Sequence, residues 1–265
     1  MRSLKRGAVL AGMLTAGAFP AAAAAAPASH GQFLHPLHVN ANQSTNWFGY
    51  NAGTLERNNT LFNSITGDWT VPTASQHVKG QSESSSDWIG IGGGCVDAGC
   101  TLGDNTLIQT GTEQDVSASG APSYSSWWEI IPGPSIDTGM TIAAGDHMHA
   151  SVAETIPNSE VWVITLQDVT KGESFSQTIP YPSTHLTAEW IEETPLLIGT
   201  NAGLASLPNL SDPAFTSATV NGANAALKAS EEMQLTDSSG NVIGSPSAPN
   251  ATGNGFSACT WATTC

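Results

Sequence analysis

From Asn46 onward, short apolar runs alternate with clusters of Gly, Asn, Ser, Asp and Pro: "NWFGYNA", "GDWTVP", "SDWIGIGGG", "NTLIQTG", "SYSSWWEIIP", "MTIAAGD", "HMHASVAET", "EVWVITLQDV", "SFSQTIPY", "LTAEWIEE", "FTSATVNG" and "EEMQLTD". These runs are rich in Trp, Val, Ile, Thr and Tyr, the residues that suit a pleated, half-buried backbone. Where polarity alternates, the period is two: in "HMHASVA", Met148, Ala150 and Val152 fall on one side and His147, His149 and Ser151 on the other. No segment carries a sustained helical stripe. Turn signals recur about every 8 to 12 residues, the spacing of antiparallel sandwiches and barrels. The pattern predicts an all-β antiparallel sandwich, one domain over residues 46–265, with the Ser/Gly/Asn/Pro-rich stretch Ser238–Ser257 as loops.

The first 28 residues follow a different rule. Arg2, Lys5 and Arg6 precede an apolar run from Ala8 to Phe19, and alanines lead to a small-residue site at "APA", Ala26–Ala28. This is the order of a secretory signal peptide, so the chain is expected to be exported and extracellular. The run is too short and alanine-rich for a membrane anchor, which needs about 20 apolar residues. Residues 29–45 are expected to be a mature N-terminal segment or a short propeptide.

Charge then narrows the partners. Three of the seven basic residues lie in the signal, which holds no Asp or Glu, leaving four against 22 acidic side chains and a net charge of −18 with His neutral. Nucleic acid is excluded as a partner, because counterion release needs clustered Lys and Arg. With only Arg57, Lys79, Lys171 and Lys228 available, little stability can rest on ionised carboxylates in salt bridges, so the fold should tolerate acid.

Four cysteines form two close pairs, Cys95/Cys100 in "CVDAGC" and Cys259/Cys265 in "CTWATTC". Local disulfides are the expected pairing in an exported chain. Neither spacing is that of a metal knuckle.

Candidate chemistry is reached partly by elimination. No G-x-S-x-G presents a serine nucleophile, and no HExxH occurs; His147 and His149 share a strand face but lack a third ligand, so no metal is expected. "DTG" at Asp137–Gly139 matches the aspartic protease signature, yet that mechanism shares a proton between two such aspartates and no second copy exists. Asp137 is read as a turn residue. Two carboxylates, Glu129 in "SWWEIIP" and Glu189 in "TAEWIEE", sit mid-strand beside tryptophan. Alternation puts Ala188 and Trp190 on one face and Glu189 with Ile191 on the other, where partial burial would raise its pKa.

Taken together, "NWFGY", "GDWTVP", "DWIGIGG", "LIQTGTEQD", "YSSWWEIIP", "AAGDHMHASV", "VWVITLQDVTKGESFS", "AEWIEE" and "ATVNG" resemble, in order, the glutamic peptidases of the eqolisin family. The resemblance implies two large bent sheets in a concanavalin-like or jelly-roll-like sandwich with the active site on a concave face. It implies that Gln109 in "LIQTG" and Glu189 in "AEWI" are the catalytic pair, working without metal or cofactor on protein or peptide substrates. An amide N–H at Gln109 would stabilise the developing oxyanion; Glu189 would take a proton from water and pass it to the leaving amine. The resemblance also places Trp88, Glu113 and Glu129 along or behind the cleft, and implies activity in acid. One departure stands out: where many relatives carry Asp after "GI", this chain has Gly92.

Two rival readings come from other classes. A jelly-roll glycoside hydrolase would use Glu129 and Glu189 as its carboxylate pair, making Gln109 dispensable. A carbohydrate-binding sandwich would use the tryptophans and neither carboxylate. Nothing in the sequence implies more than a monomer.

Overall fold

The computed structural model describes residues 28–29, 42–198 and 202–265; most of the expected signal peptide and residues 30–41 lie outside them. The longer strands are β1 (Trp47–Gly53), β2 (Ser64–Thr70), β3 (Glu83–Gly92), β4 (Leu107–Val116), β5 (Pro122–Ile130), β6 (His147–Glu154), β7 (Val161–Asp168), β8 (Glu173–Pro180), β9 (Thr187–Glu193), β10 (Ala214–Val220), β11 (Glu232–Thr236), β12 (Val242–Pro246) and β13 (Phe256–Thr260). Among the described residues there is no α-helix, only short 3-10 turns.

The strands pair in the order β8-β7-β6-β2-β10-β13-β12-β11-β1-β9-β3-β4-β5, and these pairings are antiparallel. The ribbon folds over between β10 and β11, so that a front sheet, β11-β1-β9-β3-β4-β5, lies against a back sheet, β8-β7-β6-β2-β10. Alternation explains how they seal. Tyr50, Ile89, Ile91, Trp128 and Trp190 of the front sheet join Ile65, Trp69, Met148, Val152, Trp162 and Ile164 of the back sheet in one buried cluster. Each large apolar side chain removed from water in this way contributes roughly 1.5–3 kcal/mol.

Indole N–H groups bridge the layers without being orphaned there. Trp69 Nε1 donates to Thr112 Oγ1 at 2.9 Å and Trp190 Nε1 to the Thr66 carbonyl at 2.8 Å. The alternation read in "HMHASVA" holds, with Met148, Ala150 and Val152 fully buried.

Two expectations need correction. Ser238–Ser257 is not all loop: β12 lies wholly inside it and β13 begins in it at Phe256. Glycine and serine suit β12 because Gly244 lies against the Phe48 ring, where an added Cβ would come within 3.0 Å of it. Conversely "MTIAAGD", Met140–Asp146, forms no strand. Its backbone turns so that Ala143 N–H donates to Asp146 Oδ2 at 2.7 Å, a local bond that replaces sheet pairing. Both disulfides form, Cys95–Cys100 and Cys259–Cys265.

Candidate active site

The face of the front sheet turned away from the core carries the candidate residues Trp88, Gln109, Glu113, Glu129 and Glu189. Directly opposed residues in antiparallel strands project to the same side, so register alone builds the site in rows. The first row runs Asn51 (β1), Glu189 (β9), Gly90 (β3), Gln109 (β4) and Glu129 (β5). The next runs Gly49, Ile191, Trp88, Gly111 and Trp127; the third runs Trp47, Glu193, Ser86, Glu113 and Ser125.

Strands lie about 4.8 Å apart, so the Glu189 and Gln109 backbones are roughly 10 Å apart with only a glycine between them. A Cβ on Gly90 would stand 2.9 Å from Leu107 Cδ1, 3.1 Å from Gln109 Cβ and 3.1 Å from Trp88 Cζ3. The missing side chain lets the Trp88 ring and the stem of Gln109 close in over the backbone, forming a floor between the pair. Gly111 does the same in the second row, where a Cβ would press within 2.6 Å of Trp88 Cβ and 3.0 Å of Trp127 Cζ2. Trp88 is pinned by its Nε1 donating to Glu193 Oε2 at 2.8 Å and by an edge-on contact with Trp47, ring centres 4.9 Å apart. Trp127 Nε1 donates to Ser86 Oγ at 3.0 Å.

Gln109, Glu129 and Glu189 are all fully buried. Gln109 Nε2 donates to Glu129 Oε2 at 2.9 Å. Its Oε1 and both carboxylate oxygens of Glu189 have no ordinary hydrogen-bond partner. Such groups are costly to bury, and strongly perturbed carboxyls of this kind cluster at functional sites. Burial pushes Glu189 well above the usual carboxylate range; the Thr187 hydroxyl opposes this, and the charge of Asp104 adds to it.

Glu113 shares the face but stands four residues along β4 from Gln109, about 13 Å away at the strand repeat. The structure therefore gathers Gln109, Glu189, Glu129 and Trp88, and leaves Glu113 two rows off. Asp137, read from sequence as a turn residue, instead closes an exposed two-residue strand, Ile136–Asp137, that pairs with β5 opposite Trp127, and its Oδ1 accepts from Gly139 N–H at 2.6 Å. His149 Nδ1 contacts Asp68 Oδ1, and His147 Nε2 lies 3.8 Å from Asp68 Oδ2. No group of three His, Cys, Asp or Glu among the described residues is placed to hold a metal ion.

Several contributors escaped the sequence reading. Asn51 sits beside Glu189 and clamps the disulfide loop: its Nδ2 donates to the Cys95 carbonyl at 2.8 Å and its Oδ1 accepts from Cys95 N–H at 2.9 Å. That clamp lays Gly94 against Glu189, so closely that a Cβ there would be 2.6 Å from Glu189 Oε1. A polar residue amid the apolar run "WFGYNA", in step with Trp47 rather than Tyr50, was the available signal for Asn51. Gly92, the departure noted in sequence, has φ +97° and its missing Cβ would lie 1.9 Å from the Thr106 carbonyl oxygen. This turn has no room for an aspartate.

The carboxylate pair of a glycoside hydrolase does not fit this arrangement. Glu129 and Glu189 ride strands three spacings apart, roughly 14 Å, and one Glu129 oxygen is already taken by the Gln109 amide.

The family model for the Peptidase A4 family matches residues 45–254. Among solved structures, scytalido-glutamic peptidase with a transition state analog inhibitor is similar at TM-score 0.62 and 21% identity, over 82% of this chain and 98% of that one. SCP-B, a member of the eqolisin family in a complex with the tripeptide Ala-Ile-His, is similar at TM-score 0.58 and 20% identity, over 82% and 98%. Aspergilloglutamic peptidase from Aspergillus niger is similar at TM-score 0.55 and 22% identity, over 67% and 99%. No curated protein sequence matches the chain.

Proposed function

This chain belongs to the Peptidase A4 family, the glutamic peptidases, and we propose that it hydrolyses internal peptide bonds of proteins in acid through Gln109 and Glu189. The observation that carries this reading is the first row: a fully buried carboxyl and an anchored amide on one face, separated by a glycine.

A carboxylate oxygen accepts, so the bond to Glu129 fixes the nitrogen end of the Gln109 amide and leaves a second N–H to donate. That N–H meets the negative charge that develops on the scissile carbonyl oxygen. Glu189 takes a proton from the attacking water as the new C–O bond forms, then delivers it to the leaving nitrogen as the C–N bond breaks. No charge is created or lost over the cycle. The dry setting favours the protonated acid; water entering with the substrate solvates Glu189 and returns it toward its ordinary range, where base catalysis operates in acid. The signal-like residues 1–28 and the two disulfides support export to an oxidising compartment.

The test is cleavage of a denatured protein at about pH 3–5 by purified wild type and two variants. Gln109→Ala should lose roughly 10² to 10³ in kcat, and Glu189→Gln should lose more, since the proton acceptor is gone. Wild-type rates in either folded variant would refute the assignment.

A further inference from the structure

The ends of three of the five strands that carry the first row, β3, β4 and β9, meet at one side chain outside it. Asp104, in the loop between the Cys95–Cys100 disulfide and β4, is 7% exposed. Its backbone N–H donates to the Gly94 carbonyl at 2.9 Å. Its Oδ1 accepts from both the N–H and the hydroxyl of Thr106, each at 2.9 Å, and its Oδ2 accepts from the Thr184 hydroxyl. The two threonine hydroxyls are themselves 3.0 Å apart. Thr106 leads into β4 and Gln109, Thr184 leads toward β9 and Glu189, and Gly94 follows the end of β3. The strand ends Asp104 joins are thus those that flank the pair, and the backbone it grips at Gly94 is the one lying against Glu189 Oε1.

We propose that Asp104 is a positioning residue for Glu189, holding the 92–94 turn and the entry to β9 against that carboxyl and setting the charge it meets from this side. The inference rests on reading Glu189 as the catalytic base. Little else charged competes from the adjoining elements. β1 presents Asn51, β3 presents Gly90 and β4 presents Gln109; Glu129 on β5 lies beyond Gln109 and is bonded to it. On the far side of Asn51, a crevice is lined by Glu56, Asp97, Glu231 and Glu232, with Arg57 bound to Glu231. In agreement with this geometry, the charge of Asp104 adds to burial in holding Glu189 above the ordinary carboxylate range.

Two substitutions separate position from charge. Asp104→Asn keeps an acceptor and the size while removing the charge; Asp104→Ala removes the clasp. The Glu189 side-chain carboxyl is followed by ¹³C NMR through a pH titration in wild type and Asp104→Asn, alongside the pH dependence of kcat/KM on a peptide substrate. The expected result is a Glu189 midpoint at lower pH in Asp104→Asn, with the acid limb of kcat/KM moving the same way. Asp104→Ala should lose about 10- to 100-fold in kcat, the range for a misplaced reacting group, with KM little changed. An unmoved Glu189 midpoint in folded Asp104→Asn overturns the proposal, whatever the activity. A wild type that cleaves nothing while the midpoint does move overturns the peptidase reading instead, so the two failures are told apart.

Discussion

Gln109 Nε2 donates to Glu129 Oε2 at 2.9 Å across the β4–β5 pair, both residues fully buried and directly opposed in register. The bond commits one of the two amide hydrogens to orientation and, on the proposed function, leaves the other for substrate. On the proposed function Glu129 supports the amide, in contrast to the acid or base a glycoside hydrolase would make of it.

Replacing that support separates the two roles. Glu129→Ala frees the Gln109 amide to rotate, and kcat should fall by at least about tenfold but by less than the 10² to 10³ expected on deleting the donor itself, with KM nearly constant. Steady-state kinetics on a peptide substrate measure this. A loss larger than that of Gln109→Ala would return Glu129 to the reacting pair.

Gly90 offers a steric counterpart. An alanine there meets Leu107, the Gln109 stem and the Trp88 ring at 2.9–3.1 Å, so neighbours must yield by a few tenths of an ångström. Overpacking of this kind costs about 1–3 kcal/mol, which a thermal melt reads as a modest drop in Tm. The displaced atoms belong to the floor between Glu189 and Gln109, and activity should fall further than stability does, by roughly 10-fold or more. Equal losses in both would mean that Gly90 only packs.

How much of this was legible beforehand follows from which forces act locally. Period-two alternation placed Met148, Ala150 and Val152 correctly because burial on one face is written residue by residue. It also put Glu189 opposite Trp190, as found. Alternation could not reveal that Glu189, Gly90 and Gln109 share a row, since register between β9, β3 and β4 joins residues far apart in the chain; there only the family resemblance pointed to the pair. Asp104 in "GDN" reads as any turn aspartate, and its reach to Thr184 is purely tertiary. Met140–Asp146 was misread because its Thr and Ile mimic a strand while Asp146 closes a turn on Ala143.

Gly92 tests a substitution that resemblance alone would recommend. Restoring aspartate there should not add a useful carboxylate: φ is +97° and the new Cβ would lie 1.9 Å from the Thr106 carbonyl oxygen. A side chain in this region costs about 1–3 kcal/mol in backbone strain alone, and the contact adds to it. Gly92→Asp should melt several degrees lower and lose activity as the 92–94 turn shifts off Glu189. Full stability with wild-type kcat would show that the turn has another available path.

The last prediction concerns pH and lies on the core side of the same sheet. Asp87 and Glu192 are direct partners across β3 and β9, both fully buried between the layers, and among the described residues no lysine, arginine or histidine is bonded to either. Gln114 Nε2 donates to Asp87 Oδ2 at 3.1 Å, but Asp87 Oδ1 and both Glu192 oxygens lack an ordinary hydrogen-bond partner. Burial, and for Glu192 also the neighbouring Asp87 charge, pushes both carboxyls up, Asp87 to about 7 and Glu192 well above its usual range. The folded protein thus binds more protons than the unfolded chain between about pH 4 and those raised values. Stability falls with rising pH wherever the native state holds the extra protons. Their contribution is fully present below about pH 4 and is lost as pH climbs through about 7 for Asp87 and beyond for Glu192; Glu189 adds to the same slope. The melting temperature should therefore be highest in acid and decline toward neutrality, and Asp87→Asn with Glu192→Gln should flatten that decline by holding the pair neutral at every pH. Thermal melts from about pH 3 to 8 decide the matter, and an equally steep decline in the double variant would move the pH sensitivity elsewhere in the fold.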